Sequence, residues 1–88
     1  MIRMKLIVVQ DHEIEVGDHL VHCKTVADMD RGTMETAVKI DGKMPAGIKA
    51  RSTRRTDAAM KNHAELLGYA IMTAVDIEEG DSDENRCN

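Results

Sequence analysis

The stretch Thr56-Asp57-Ala58-Ala59-Met60-Lys61-Asn62-His63-Ala64-Glu65-Leu66-Leu67-Gly68-Tyr69-Ala70-Ile71-Met72-Thr73-Ala74-Val75-Asp76-Ile77-Glu78-Glu79 decides the fold of this 88-residue chain. Ala59, His63, Leu66, Leu67, Ala70, Ile71, Ala74 and Val75 recur at three- and four-residue intervals, and Ile77 lies close to the same face. That spacing predicts one amphipathic helix of about five turns, whose apolar stripe must lie on another layer. Thr53 or Thr56 can act as N-cap, and Asp57 suits the positive end of the helix dipole. Gly80 stands where a C′ glycine belongs. Residues 81–88 are polar and acidic and read as a flexible tail to a single domain of residues 1–80.

Upstream the periodicity drops to two. Residues 5–9 are rich in β-branched side chains. Residues 13–16 alternate Glu13 and Glu15 with Ile14 and Val16 before the turn signal Gly17-Asp18. A further stretch, 19–28, alternates imperfectly and ends in the turn Asp28-Met29-Asp30-Arg31-Gly32. Residues 34–40 place Met34, Thr36, Val38 and Ile40 on one face and Glu35, Ala37 and Lys39 on the other. Asp41-Gly42 is a strong hairpin signal. Its return arm should run through 44–51 and start as an edge or a bulge, because Pro45 has no N–H to donate. The expected fold is α+β: a small antiparallel sheet of three to five strands within residues 5–51, followed by one long C-terminal helix packed on it.

Composition narrows the class. Apolar residues make up 42% and charged residues 32%, as in a folded domain. No run approaches the ~18 apolar residues of a membrane span. The stretch Leu6-Ile7-Val8-Val9 is shorter than the ~7–15 apolar residues of a signal peptide. Two distant cysteines make no disulfide framework, so a reducing, cytoplasmic setting without membrane contact is expected. With no Trp, no Phe, one Tyr and seven Met, the core lacks large aromatic rings and is better completed by a partner.

Catalytic spacing is absent. Gly42-Lys43-Met44-Pro45-Ala46-Gly47-Ile48-Lys49 differs from a phosphate loop, because Ile48 separates glycine from lysine and no Ser or Thr follows. Asp28-x-Asp30-x-Gly32 starts like a calcium loop, but its glycine comes early and Lys39 falls where a bidentate Glu belongs. His22-Cys23, with His12 and His19 upstream, is the one cluster of nucleophile or metal character. Strand neighbours point to opposite faces, however, and no Cys-x-x-Cys pair exists. Ser52 and Ser82 lack a Gly-x-Ser-x-Gly setting. The expectation is a protein that is not an enzyme and uses neither metal nor cofactor.

Two surfaces remain. Charge is segregated: net −3 over residues 1–38, +5 over 39–61 and −6 over 62–88. Lys49, Arg51, Arg54, Arg55 and Lys61 form a basic strand-to-helix junction that could grip a nucleic-acid backbone. If the helix began at Thr53, two arginines would occupy its positive end, and a bound anion would resolve the conflict. If it begins at Thr56, they are loop residues. Across residues 33–67, Gly42-Lys43, Arg51-Ser52, the basic pair and the Ala-rich helix resemble the C-terminal half of a double-stranded-RNA-binding domain. That resemblance implies phosphate contacts at Arg54 and Arg55. The chain departs from the family at Thr56-Asp57, which replaces basic residues, and in residues 1–32, which read as strands instead of a helix.

The second surface lies on the helix opposite the stripe. Gly68, Tyr69 and Met72, flanked by Glu65, combine interface-prone residue types with a glycine that often marks close backbone approach. Alternatively, Tyr69 and Met72 wrap the edge of the core. The reading as a whole is a small non-enzymatic interaction protein that binds a partner protein or nucleoprotein surface and forms a homodimer. Its architecture and size are similar to the small inhibitors and regulators encoded by phages and mobile elements, of which anti-CRISPR proteins are one group. The alternative is a module that binds nucleic-acid backbone through 49–61.

Overall fold

In the computed structural model, which describes residues 6–87 and their side chains as far as Glu79, four strands precede one helix. These are β1 (Leu6–Val16), β2 (His19–Asp28), β3 (Thr33–Ile40), β4 (Arg51–Thr53) and α1 (Thr56–Cys87). The strands form an antiparallel meander in the order β1-β2-β3-β4, so β1 and β4 are the edges. This is the expected α+β arrangement.

Local chemistry sets each connection. Gly17 (φ 59°) takes the first central position of the two-residue β1–β2 hairpin, which an L side chain resists. Asp28 stabilises the β2–β3 turn, its Oδ1 accepting the N–H groups of Asp30 (3.1 Å) and Arg31 (3.2 Å). Asp41 (φ 54°) and Gly42 (φ 82°) both adopt positive φ, as a type I′ turn demands.

Three boundaries differ from the sequence reading. Residues 5–9 and 13–16 were expected as separate stretches, yet β1 runs continuously because a bulge between Val8 and Gln10 absorbs the break in alternation. The return arm after Asp41-Gly42 pairs only at Lys43. Its N–H donates to Ile40 O (3.1 Å) and its carbonyl accepts from Ile40 N (2.8 Å). Pro45 and the turn at Gly47 (φ 87°) then lead the chain away, and β4 regains the sheet only opposite Met34, Glu35 and Thr36. Finally, the helix passes through Gly80 instead of ending there. One interior glycine costs a helix about 1 kcal/mol relative to alanine, too little to force a stop.

The helix starts at Thr56, and Ala59 N–H donates to Arg55 O (2.9 Å), which makes Arg55 the N-cap residue in place of either threonine. Thr53 Oγ1 accepts the Arg55 N–H (3.3 Å). Ala59, His63, Leu66, Ala70 and Ala74 are buried on Val21, Cys23 and Thr25 of β2 and Thr36, Val38 and Ile40 of β3. The alanines keep the helix close to the sheet. Leu67 and Ile71 are half-buried at the margin, while Val75 and Ile77 stay 37% and 40% exposed. At ~1.5 Å per residue the 32-residue helix is ~48 Å long and dominates the 57 Å longest dimension.

Among the described residues nothing approaches Gly68 closely, since a Cβ built on it meets nothing within 4 Å. Gly68→Ala is therefore expected to raise the unfolding free energy by about 1 kcal/mol, read from urea denaturation. A loss of stability would show that some surface packs against this position.

Candidate functional site

The basic junction is dispersed by its own neighbours. Because α1 starts at Thr56, Arg54 and Arg55 precede the first turn, and Asp57 within that turn supplies the negative charge that the helix dipole favours. Arg55 lies along Asp57, with Nε 3.3 Å from Oδ1 and Nη2 3.2 Å from Oδ2. Arg51, on β4, turns back to the helix. Its Nη1 donates to Glu65 Oε1 (2.6 Å) and Asn62 Oδ1 (3.4 Å), and its guanidinium lies 5.9 Å from the Tyr69 ring centre. Arg51 from one expected site and Glu65 and Tyr69 from the other thus form one cluster that ties β4 to α1. Lys49, Arg54 and Lys61 are exposed and have no ion-pair partner among the described residues. Met72 is 66% exposed and Tyr69 46%.

The histidines and Cys23 separate by face. His22, on the outer face of β2, bonds to Asp11. His19 Nδ1 lies 2.6 Å from Asp41 Oδ2, and this bond raises the His19 pKa while lowering that of Asp41. Cys23 points inward, fully buried, with Sγ 3.6 Å from both His63 Nδ1 and His63 O. Burial pushes its pKa up to about 11, so the thiol keeps its proton at neutral pH. His63 joins a polar chain across the core. Its Nδ1 is 2.7 Å from Thr25 Oγ1, which is 2.8 Å from Thr36 Oγ1, and its Nε2 is 2.8 Å from His12 Nδ1. Across the His12–His63 contact one ring nitrogen donates and the other accepts. The arrangement holds the core together and keeps the thiol unreactive. Among the described residues no group of three metal-ligating side chains converges.

A feature the sequence reading passed over is the sheet's second face. Register and burial place Leu6 and Val8 of β1, Leu20, His22, Lys24, Val26 and Asp28 of β2, and Glu35, Ala37 and Lys39 of β3 away from the helix. Leu6, Val26 and Ala37 line a groove of about 350 Å³ bordered by Lys24, Lys39, Asp28 and Glu35. The signal was present: one helix covers one face, and 34–40 already sorted Ala37 to the other.

Burial and the adjacent His12 lower the His63 pKa. A histidine with a depressed folded pKa gives stability that is complete above its unfolded value near 6.5 and lost as pH falls toward the folded value. The raised pKa of His19 acts with the opposite sign: its contribution is complete below 6.5 and fades as pH rises. Urea midpoints measured between pH 7.5 and 5 are expected to fall more steeply for the wild type than for His63→Gln. Equal slopes would remove the core imidazole as the cause.

Comparison of the chain with protein-family models, with curated proteins and with solved structures finds no match.

Proposed function

We propose that the protein is a non-enzymatic interaction protein that presents the open face of its sheet to a partner protein or nucleoprotein, as small inhibitors and regulators do. The observation that carries this reading is the apolar groove around Leu6, Val26 and Ala37, held open opposite the helix and bordered by charges of both signs. An apolar centre with a polar rim is the usual anatomy of a protein-binding patch. The chemistry of the core agrees with it. The cysteine thiol is sealed and protonated, and the histidine beside it is committed to the threonines. The cytoplasm, where such a thiol stays reduced, is the setting this reading assigns.

Val26→Arg puts a charge in the centre of the groove without touching the buried helix-side core. It is expected to abolish capture of the partner from a host extract while changing stability by only about 0.5 kcal/mol. Equal recovery of the same partner by both proteins would remove the open face as the binding surface.

Backbone binding to nucleic acid is the second reading, supported by Lys49, Arg54 and Lys61, which are exposed and have no ion-pair partner among the described residues. Two of the five basic residues are already matched to Glu65 and Asp57, which favours the first. On the second reading the protein should retard duplex RNA or DNA at low salt and release it steeply as salt rises. Arg54→Ala with Lys61→Ala should then abolish retardation, and retention by that variant would exclude the junction.

A further inference from the structure

We infer that His12 and His63 form a coupled proton acceptor at the helix–sheet interface: the pair stays docked when it takes up one proton and parts when it takes up a second, which lifts the first half of α1 off the sheet. The two imidazoles meet head-on. Their ring centres are 5.0 Å apart and the facing nitrogens, His12 Nδ1 and His63 Nε2, are 2.8 Å apart, so nearly the whole separation runs through those two atoms. Between them there is room for one hydrogen. On its other side His63 meets Thr25 (Nδ1 to Oγ1 2.7 Å), whose hydroxyl donates or accepts as needed. One added proton is therefore accommodated with every bond of the chain kept. His63 Nδ1–H donates to Thr25, one hydrogen lies between the rings, and the remaining N–H belongs to the exposed His12. The bond between the rings is then charge-assisted and stronger. A second proton puts N–H groups on both facing nitrogens. Neither keeps a lone pair to accept, and two cations stand in contact. His12 can turn away to water, but His63, 3% exposed, cannot. Its charge is left without a partner in the core, and opening relieves it.

Few other charges bear on this pair. β2 presents Cys23, whose thiol keeps its proton, and β3 presents Thr36 through its bond to Thr25. On α1 the residues one turn away, Ala59, Met60, Leu66 and Leu67, are apolar. On the β4 side Arg51 is matched to Glu65. From β1, Asp11 favours the charged ring, but it is bonded to His22 on the open face. Burial and His12 outweigh it, so the His63 pKa is lowered, the direction that a deferred second proton requires. The far end of the interface responds in the opposite sense. Glu78 of α1 accepts the Asp18 N–H (2.9 Å) and lies 3.4 Å from His19 Nε2, while His19 Nδ1 meets Asp41 (2.6 Å). The His19 pKa is raised, so this clasp is complete below about 6.5 and holds while the His12–His63 contact fails. Acid thus opens α1 from its first half, hinged at Glu78, and bares the inner face of β2 at Cys23. The inference is independent of what binds the groove on the other face.

The test is the rate at which Cys23 reacts with dithiodipyridine, a disulfide that remains reactive in acid. It is measured in the Cys87→Ser background, which leaves one thiol, with and without His12→Gln. Each rate is taken relative to the same protein unfolded in urea. With His12 present, the relative rate should rise as pH falls from about 7.5 to about 4.5, approaching about tenfold per pH unit, the slope of one proton bound on opening. His12→Gln leaves His63 in place but sets against it an amide that offers N–H to the neutral ring and oxygen to the charged one. That variant should stay closed, with a flat relative rate over the same range. Position 12 is exposed, so its circular dichroism at neutral pH should match that of the parent. An equal rise in both proteins would overturn the pair, since burial of His63 alone would then account for the opening. No rise in either would overturn the opening itself.

Discussion

One helix must cover a sheet twice its width, and the rest of the structure follows from where it lies. The stripe of Ala59, His63, Leu66, Ala70 and Ala74 is narrow and mostly small, so α1 sits close over β2 and β3 and buries their inward side chains almost completely. Among the described residues nothing covers the start of β1 or the far side of the sheet. The exposed Leu6-Ile7-Val8-Val9 edge and the groove beside Val26 are both consequences of that shortage. In a domain of this size, apolar surface left uncovered in the monomer is a substantial part of what could stabilise it.

The interior that the helix does cover is unusually polar. Thr25, Thr36 and His63 are as buried as the aliphatic residues around them, and their side chains satisfy one another in a single line that ends at His12 on the surface. A satisfied network of this kind costs little, but it binds the helix to both central strands in one geometry, because a shift of the helix would leave several donors unpaired at once. It also explains how a core without Phe or Trp defines one packing. Cys23, lodged beside the imidazole, looks like half of a catalytic pair in sequence terms and behaves as a small buried hydrophobe in fact.

The surface is organised by local neutralisation. Arg51 and Glu65 come from segments that the sequence assigns to different roles, yet β4 places the arginine across the helix face where Asn62, Glu65 and Tyr69 rise at helical spacing. The cluster closes the β3–β4 excursion onto α1. In doing so it withdraws the central cation from the basic segment and its aromatic neighbour from full exposure. The similarity to double-stranded-RNA-binding domains ends here as well, since β1 and β2 occupy the residues where that family has its first helix.

What the sequence by itself determined was the class and order of the elements. Period-two runs, Asp-Gly and Gly-Asp turns and a 3.6-residue stripe are local properties of the backbone, and β1, β2, β3 and α1 formed where their patterns stood, whereas the return arm expected over 44–51 became a loop and β4 formed only at Arg51–Thr53. Even the sorting of Val38 from Lys39 followed, because alternation is imposed by the pleat. The tertiary structure decided everything that depended on distance along the chain: that Arg51 would meet Glu65, that His63 would meet Thr25 and His12, and that the helix would lie over β2 and β3 and leave the start of β1 exposed. A pattern of hydrophobicity tells a segment which side to bury but not against which neighbour. Charges and hydrogen-bonding groups find partners only once the layers have docked.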